Sequence, residues 1–128
     1  MKIEKILVVD DSEADHLIYK ITIQKHDPSI EVLSAYDGQE ALEVLENEMP
    51  QCILLDINMP RMNGFQFLEE YSKKYSDQHV IIAMITSSHN EDDRKRAMAF
   101  DVVQNYFNKP LTKEDFKEIV EIAIKKFQ

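Results

Sequence analysis

Short, continuous apolar runs alternate along this chain with longer stretches in which apolar residues recur every three or four positions. The runs are Ile6-Leu7-Val8-Val9, Val32-Leu33-Ser34-Ala35, Cys52-Ile53-Leu54-Leu55, Val80 to Ile85 and Val102 to Phe107. Their length suits strands, and their lack of polar alternation predicts strands covered on both faces, as in a parallel sheet. Ala14, Leu17, Ile18 and Ile21 follow the i, i+3, i+4, i+7 spacing of a helix with one apolar face, with Ser12 as its N-cap and Asp15 three residues on. Ala41, Leu42 and Leu45 mark a second helix over 38–48, and Phe65, Leu68, Ser72 and Tyr75 a third over 64–75. From Asn90 to Phe100, Glu91-Asp92-Asp93 come first and Arg94-Lys95-Arg96 later, the charge order that a helix dipole favours. Thr112 with Asp115 caps a last helix whose stripe is Phe116, Ile119, Val120, Ala123 and Phe127.

Strand and helix alternate five times, which predicts an α/β fold: a doubly wound, five-stranded parallel sheet with helices on both faces and right-handed crossovers. With 128 residues, 44% hydrophobic and 30% charged, the whole chain 1–128 is expected to form a single domain with its own core. The net charge of −9 argues against direct nucleic-acid binding or an anionic membrane surface and favours cations or cationic partners. The one cysteine, Cys52, excludes an intramolecular disulfide and a Cys-rich zinc site. The N-terminus reads as neither signal peptide nor membrane span, so no membrane insertion and a cytoplasmic setting are expected. The two glycines, Gly38 and Gly64, lie in different segments, which leaves no GxGxxG and no P-loop.

In such sheets the functional crevice lies beyond the carboxyl ends of the strands. The first strand ends in Asp10-Asp11, the third in Asp56, the fourth in Thr86-Ser87-Ser88, and the fifth runs into Lys109-Pro110. Three converging carboxylates repel one another unless a cation sits between them, and an all-oxygen donor set suits a hard ion such as Mg2+. A lysine and a hydroxyl facing the same cluster are what a transferred phosphoryl group needs for its spare oxygens, with a carboxylate as nucleophile.

These residues resemble the receiver domain of two-component response regulators. The resemblance covers essentially the whole chain. It rests on Ile6 to Asp11, Asp37-Gly38-Gln39-Glu40-Ala41-Leu42, Leu54 to Pro60 with Gly64, Ile85-Thr86-Ser87, and Tyr106 with Lys109-Pro110, in order, with 30 residues from Asp56 to Thr86 and 23 from Thr86 to Lys109. It implies a flavodoxin-like (β/α)5 sheet of order 2-1-3-4-5, with Asp56 as phosphoacceptor. It implies Mg2+ bound through Asp11 and Asp56, through the Asn58 main-chain carbonyl, and by Asp10 mainly through water. Thr86 and Lys109 would contact phosphoryl oxygens. Tyr106 would be the switch aromatic, altering the surface of helix four, strand five and helix five, and Lys109-Pro110 a cis peptide. The family's docking helix is the first, which makes Tyr19 and Ile23, off the core stripe, contact candidates. Val102-Val103 stand where the family commonly has Gly-Ala, so Asp101 is expected to take a left-handed conformation there; Asn63 replaces a common Asp, and Ser87 a common Ala.

The function so implied is a phosphorylation-switched signalling protein of a two-component phosphorelay, not a metabolic enzyme, which catalyses its own Asp56 phosphorylation and dephosphorylation. Its expected partners are a sensor histidine kinase or histidine phosphotransfer protein upstream and a protein target downstream, because no output domain is expected after Phe127-Gln128. It is expected to be a monomer or a weak, phosphorylation-dependent dimer. An aspartyl-phosphate phosphatase of the haloacid dehalogenase type usually places a second Asp two residues after its nucleophile, where this chain has Asn58. A flavodoxin-like electron carrier needs a Ser/Thr/Gly-rich loop where this chain has Asp10-Asp11-Ser12-Glu13. A degenerate receiver acting only as a binding module would not need Asp10, Asp11, Asp56, Thr86 and Lys109 together.

Overall fold

A computed structural model describes residues 2–75 and 77–126. In chain order the elements are β1 (Lys5–Val9), α1 (Glu13–His26), β2 (Glu31–Ala35), α2 (Gly38–Asn47), β3 (Cys52–Leu55), α3 (Gly64–Tyr75), β4 (Ile81–Thr86), α4 (Glu91–Met98), β5 (Val103–Asn108) and α5 (Lys113–Lys126). The sheet order is β2-β1-β3-β4-β5 and every pairing is parallel. Alternate residues of the central strands feed two separate cores: Leu7, Val9, Ile53 and Leu55 pack with α2 and α3, while Ile6, Val8, Cys52 and Leu54 pack with α1 and α5. That two-sided burial is why the strand sequences are continuously apolar.

The predicted caps form. Ser12 accepts from the Asp15 N–H at 3.2 Å and Thr112 from the Asp115 N–H at 3.0 Å; α4 has a further cap that the sequence reading did not name, in which Asn90 accepts from the Asp92 N–H at 2.8 Å. The first turn of α4 is acidic and its last turn basic, as the charge order implied. Asn63 and Gln66 exchange side-chain-to-backbone bonds of 2.9 Å each at the start of α3, so the exchange for Asp keeps a helix cap.

The predicted face of α1 is corrected. Ala14, Leu17, Ile18 and Ile21 are exposed, and the buried residues are His16, Tyr19 and Ile23. Tyr19 and Ile23 are therefore core residues and not contact candidates. The physical reason lies in polar partners: His16 Nε2 sits 2.7 Å from the Asp10 carbonyl oxygen, to which it donates, and the Tyr19 hydroxyl donates to Asp10 Oδ2 at 3.1 Å. His16 also stacks on Tyr36, with ring centroids 4.4 Å apart. On α3 the buried stripe is wider than predicted, with Phe67 and Tyr71 joining Phe65 and Leu68 while Ser72 and Tyr75 are half-buried. On α5, Phe116, Ile119 and Ala123 are buried and Val120 partly so; Phe127 lies outside the described residues.

The turn into β5 is also built differently from the expectation. Among the described residues other than glycine only Arg61 has a positive φ, 62°, so Asp101 does not take a left-handed conformation. Instead Val103 donates to the Phe100 carbonyl at 3.1 Å, and the pairing steps from Ile82–Val103 to Ala83–Asn105, leaving Gln104 as the extra residue of a bulge. The bulge takes up the irregularity that a glycine would otherwise absorb in the turn.

The corrected phase of α1 sets an order of stabilities. Tyr19→Ala is expected to cost about 3–5 kcal/mol, whereas Leu17→Gln is expected to stay within about 0.5 kcal/mol of wild type, both read from urea unfolding; the opposite ranking would restore the face that hydrophobic spacing predicts.

Candidate functional site

Parallel strands carry all five carboxyl ends to one edge, and backbone bonds just beyond the ladder fix the residues that follow them. The Asp10 N–H donates to the Ala35 carbonyl at 3.1 Å, and the Asp56 N–H to the Val9 carbonyl at 3.0 Å. Asp10 and Asp56 are buried and Asp11 is exposed. One carboxylate oxygen from each of the three lies within 4.8 Å of the others. Asp10 Oδ1 accepts the Ser12 N–H at 2.9 Å, and Asp56 Oδ1 accepts its neighbour's Ile57 N–H at 2.8 Å.

Lys109 closes the cluster from β5. Its N–H donates to the Thr86 carbonyl at 2.9 Å, and the Lys109–Pro110 bond is cis, as the resemblance implied. Its ammonium reaches Asp15 Oδ2 at 2.7 Å, Asp10 Oδ2 at 2.9 Å and Asp56 Oδ2 at 3.0 Å. Burial works to lower the Lys109 pKa, but the bonds to Asp15, Asp10 and Asp56 outweigh it and hold the amine well above its ordinary value. Asp56 is shifted up: burial, helped by the charge of Asp10, exceeds the pull of Lys109 and of the Ile57 N–H. One cation is shared by three carboxylates, and with neighbouring Asp11 the four acids exceed it by three negative charges when all are ionised. An oxygen-only donor set with surplus negative charge fits a hard dication such as Mg2+, held by Asp10, Asp11 and Asp56.

The other predicted residues lie on the same edge. Asn58 is exposed in the loop two residues beyond Asp56. Thr86, fully buried at the end of β4, accepts the Ser88 N–H on its hydroxyl at 3.2 Å, and Ser87 is exposed. Tyr106 is half-buried against the core, with its hydroxyl enclosed beside Ser88 without a hydrogen bond of good geometry and the Arg94 guanidinium 5.6 Å from its ring centre. Ser88 is itself held by Asp93, to which its hydroxyl donates at 2.7 Å, and by Asn108, whose amide donates to its carbonyl at 2.7 Å.

Two residues of the site escaped the sequence reading, Asp15 and Tyr19. Their signal was available: Asp15 lies four residues beyond Asp11, and Tyr19 four beyond Asp15, on one face of α1. Both glycines serve the loop that carries Asp56 into α3. The Gly64 N–H donates to the Ile57 carbonyl and the Gly38 N–H to the Met62 carbonyl, each at 2.8 Å. A Cβ on Gly64 would overlap the Asp56 carbonyl oxygen.

A family model described as response regulator receiver domain matches residues 6–121. The chain is 37% identical over 122 residues to a chemotaxis protein CheY homolog of Campylobacter jejuni, covering 91% of this chain and 89% of that one. It is 32% identical over 122 residues to the sensor histidine kinase CheAY of Helicobacter pylori, covering 94% of this chain and only 15% of the kinase. A two-component response regulator structure from Cytophaga hutchinsonii superposes with a TM-score of 0.89 at 25% identity, over 98% of this chain and 99% of that one. Among the described residues no helix is long and apolar enough to cross a membrane.

Because the Asp56 pKa is raised above its ordinary 3.8, the folded chain holds that proton more tightly than the unfolded chain does, and stability from this group is lost as pH rises. In metal-free protein the stability gained by Asp56→Asn over wild type is expected to be smallest below pH 3.8, to grow as pH rises through the folded pKa of Asp56, and to level off above it. Urea unfolding at a series of pH values reads this, and a difference independent of pH would contradict it. Gly64→Ala is expected to lose about 1–3 kcal/mol, checked by the same unfolding at pH 7.

Proposed function

Because the chain belongs to the response regulator receiver family, whose members are phosphorylation-switched domains of two-component signalling and not metabolic enzymes, we propose that Asp56 is its phosphoacceptor and that the whole chain 1–128 works as one receiver unit. The observation that carries this is the Lys109 ammonium bridging Asp10 and Asp56 at 2.9 and 3.0 Å beside a three-carboxylate cation site. An Asp56 carboxylate oxygen attacks the phosphorus of a phosphohistidine on a sensor kinase or phosphotransfer protein. The oxygen–phosphorus bond forms as the phosphorus–nitrogen bond breaks, and the departing imidazole nitrogen takes a proton from solvent. Mg2+ held by the Asp10, Asp11 and Asp56 side chains and the Asn58 main-chain carbonyl would offset charge on the phosphoryl oxygens. Lys109 neutralises part of the same charge, and the Thr86 hydroxyl leaves the Ser88 N–H to donate to a phosphoryl oxygen.

Phosphorylation adds about −1.5 to −2 charge at one point, and the response is a shift of population in the existing fold. Movement of Thr86 reaches Tyr106 through the loop of Ser88, which Asp93 of α4 and Asn108 of β5 both hold. The output surface is accordingly α4, β5 and α5, presented to a downstream protein partner or to a second copy in a weak dimer. The incoming donor meets α1 on its exposed Leu17, Ile18 and Ile21. A cytoplasmic setting accords with a phosphohistidine donor.

Incubation with acetyl phosphate followed by intact-mass spectrometry is expected to show one phosphoryl adduct that needs Mg2+ and is lost in Asp56→Asn. An adduct retained by Asp56→Asn would move the acceptor elsewhere, and its absence from folded wild type with both acetyl phosphate and a phosphohistidine donor would refute the receiver reading.

A further inference from the structure

The Lys109 ammonium donates hydrogen bonds to Asp15 at 2.7 Å and Asp56 at 3.0 Å and lies 2.9 Å from Asp10 as an ion pair, so three carboxylates crowd around it. A phosphoryl oxygen that draws on Lys109 competes with these carboxylates for it. Asp10 is fully buried and its Oδ2 is also held by Tyr19, and the Asp56 side chain is 6% exposed. Asp15 is 26% exposed, so water can replace the bond it gives up. It makes the shortest contact of the three, from the rim of the site, on the first turn of a helix that Ser12 caps through the Asp15 N–H itself. It stands outside the trio placed to hold a metal.

We propose that Asp15 is a positioning residue for phosphoryl transfer: its carboxylate draws the Lys109 ammonium toward the rim and competes with the phosphoryl group for it. This rests on the receiver reading above. The carboxylate also repels a doubly charged phosphoryl donor at the entrance to an already negative cluster. Both effects act in one direction, so Asp15 slows the chain's phosphorylation. Asparagine at this position keeps the shape and a weaker acceptor but removes the charge.

The test compares wild type, Asp15→Asn and Asp15→Glu, each with Mg2+ and acetyl phosphate, by the time course of the phosphoryl adduct in intact mass. Asp15→Asn is expected to be phosphorylated about three- to tenfold faster, the scale of one charge removed at short range in a partly screened site. Raising the salt concentration is expected to shrink that ratio, and Asp15→Glu, which restores the charge, to fall back toward the wild-type rate. Independently of metal and donor, nitrogen NMR of the lysine side chains in metal-free protein is expected to show several-fold faster solvent exchange of the Lys109 ammonium in Asp15→Asn. Equal or slower phosphorylation of folded Asp15→Asn, or an Asp15→Glu rate matching Asp15→Asn, would overturn the role given to Asp15 while leaving Asp56 as acceptor. No adduct on any of the three folded proteins, with acetyl phosphate and then with a phosphohistidine donor, would overturn the receiver reading and this inference with it.

Discussion

One ammonium group serving three carboxylates governs this molecule. Lys109 arrives from β5, Asp10 from β1, Asp56 from β3 and Asp15 from α1, so four elements far apart in the chain meet at a single nitrogen. Their electrostatics do not balance. Lys109 holds its proton more firmly than a free lysine, while Asp56 holds a proton more readily than a free carboxylate. The opposite fates follow from the count of charges: Asp56 receives only a share of one cation against its own burial. A site left short of positive charge suits a dication.

The rest of the fold holds that imbalance still. Carboxylates crowded together push apart unless the backbone fixes them, and here the ladder extends one residue past β1 and β3 to hold Asp10 and Asp56 by their own N–H groups. The loop beyond Asp56 is pinned by close backbone approach at Gly38 and Gly64, where a side chain would collide with Met62 or with Asp56 itself. Arg61, in its left-handed conformation, returns its guanidinium to the Asp37 cap of α2 at 2.6 Å, so that the strained residue of the loop is also tied. The chain spends both of its glycines on this loop.

The first helix shows how a functional site overrides hydrophobic order. Its more apolar face, with Leu17, Ile18 and Ile21, is turned to solvent, and its face with His16 and Tyr19 is turned to the sheet. His16 Nε2 and the Tyr19 hydroxyl are bonded to Asp10, which offsets part of the cost of burying them and supports the site, while His16 Nδ1 is buried without a partner. The outward apolar face lies on the same helix as Asp15, which reaches Lys109 at the site. Core packing and site geometry thus share one element, with its faces assigned by the site.

The sequence by itself determined the parallel sheet, its two-sided burial, the helix caps at Ser12 and Thr112, and the meeting of Asp10, Asp11, Asp56, Thr86 and Lys109 on one edge. These follow from local rules: continuous apolar runs specify strands buried on both faces, and parallel strands must all end on the same side. Tertiary structure alone decided which face of α1 turns inward, that Asp15 and Tyr19 belong to the site, and that a bulge at Gln104 replaces a left-handed residue before β5. Each of those depends on a partner remote in the chain. The spacing of apolar residues counts hydrophobic surface, but it does not count the hydrogen bonds to Asp10 that offset the burial of His16 and Tyr19, and those bonds exist only once β1 and α1 have met.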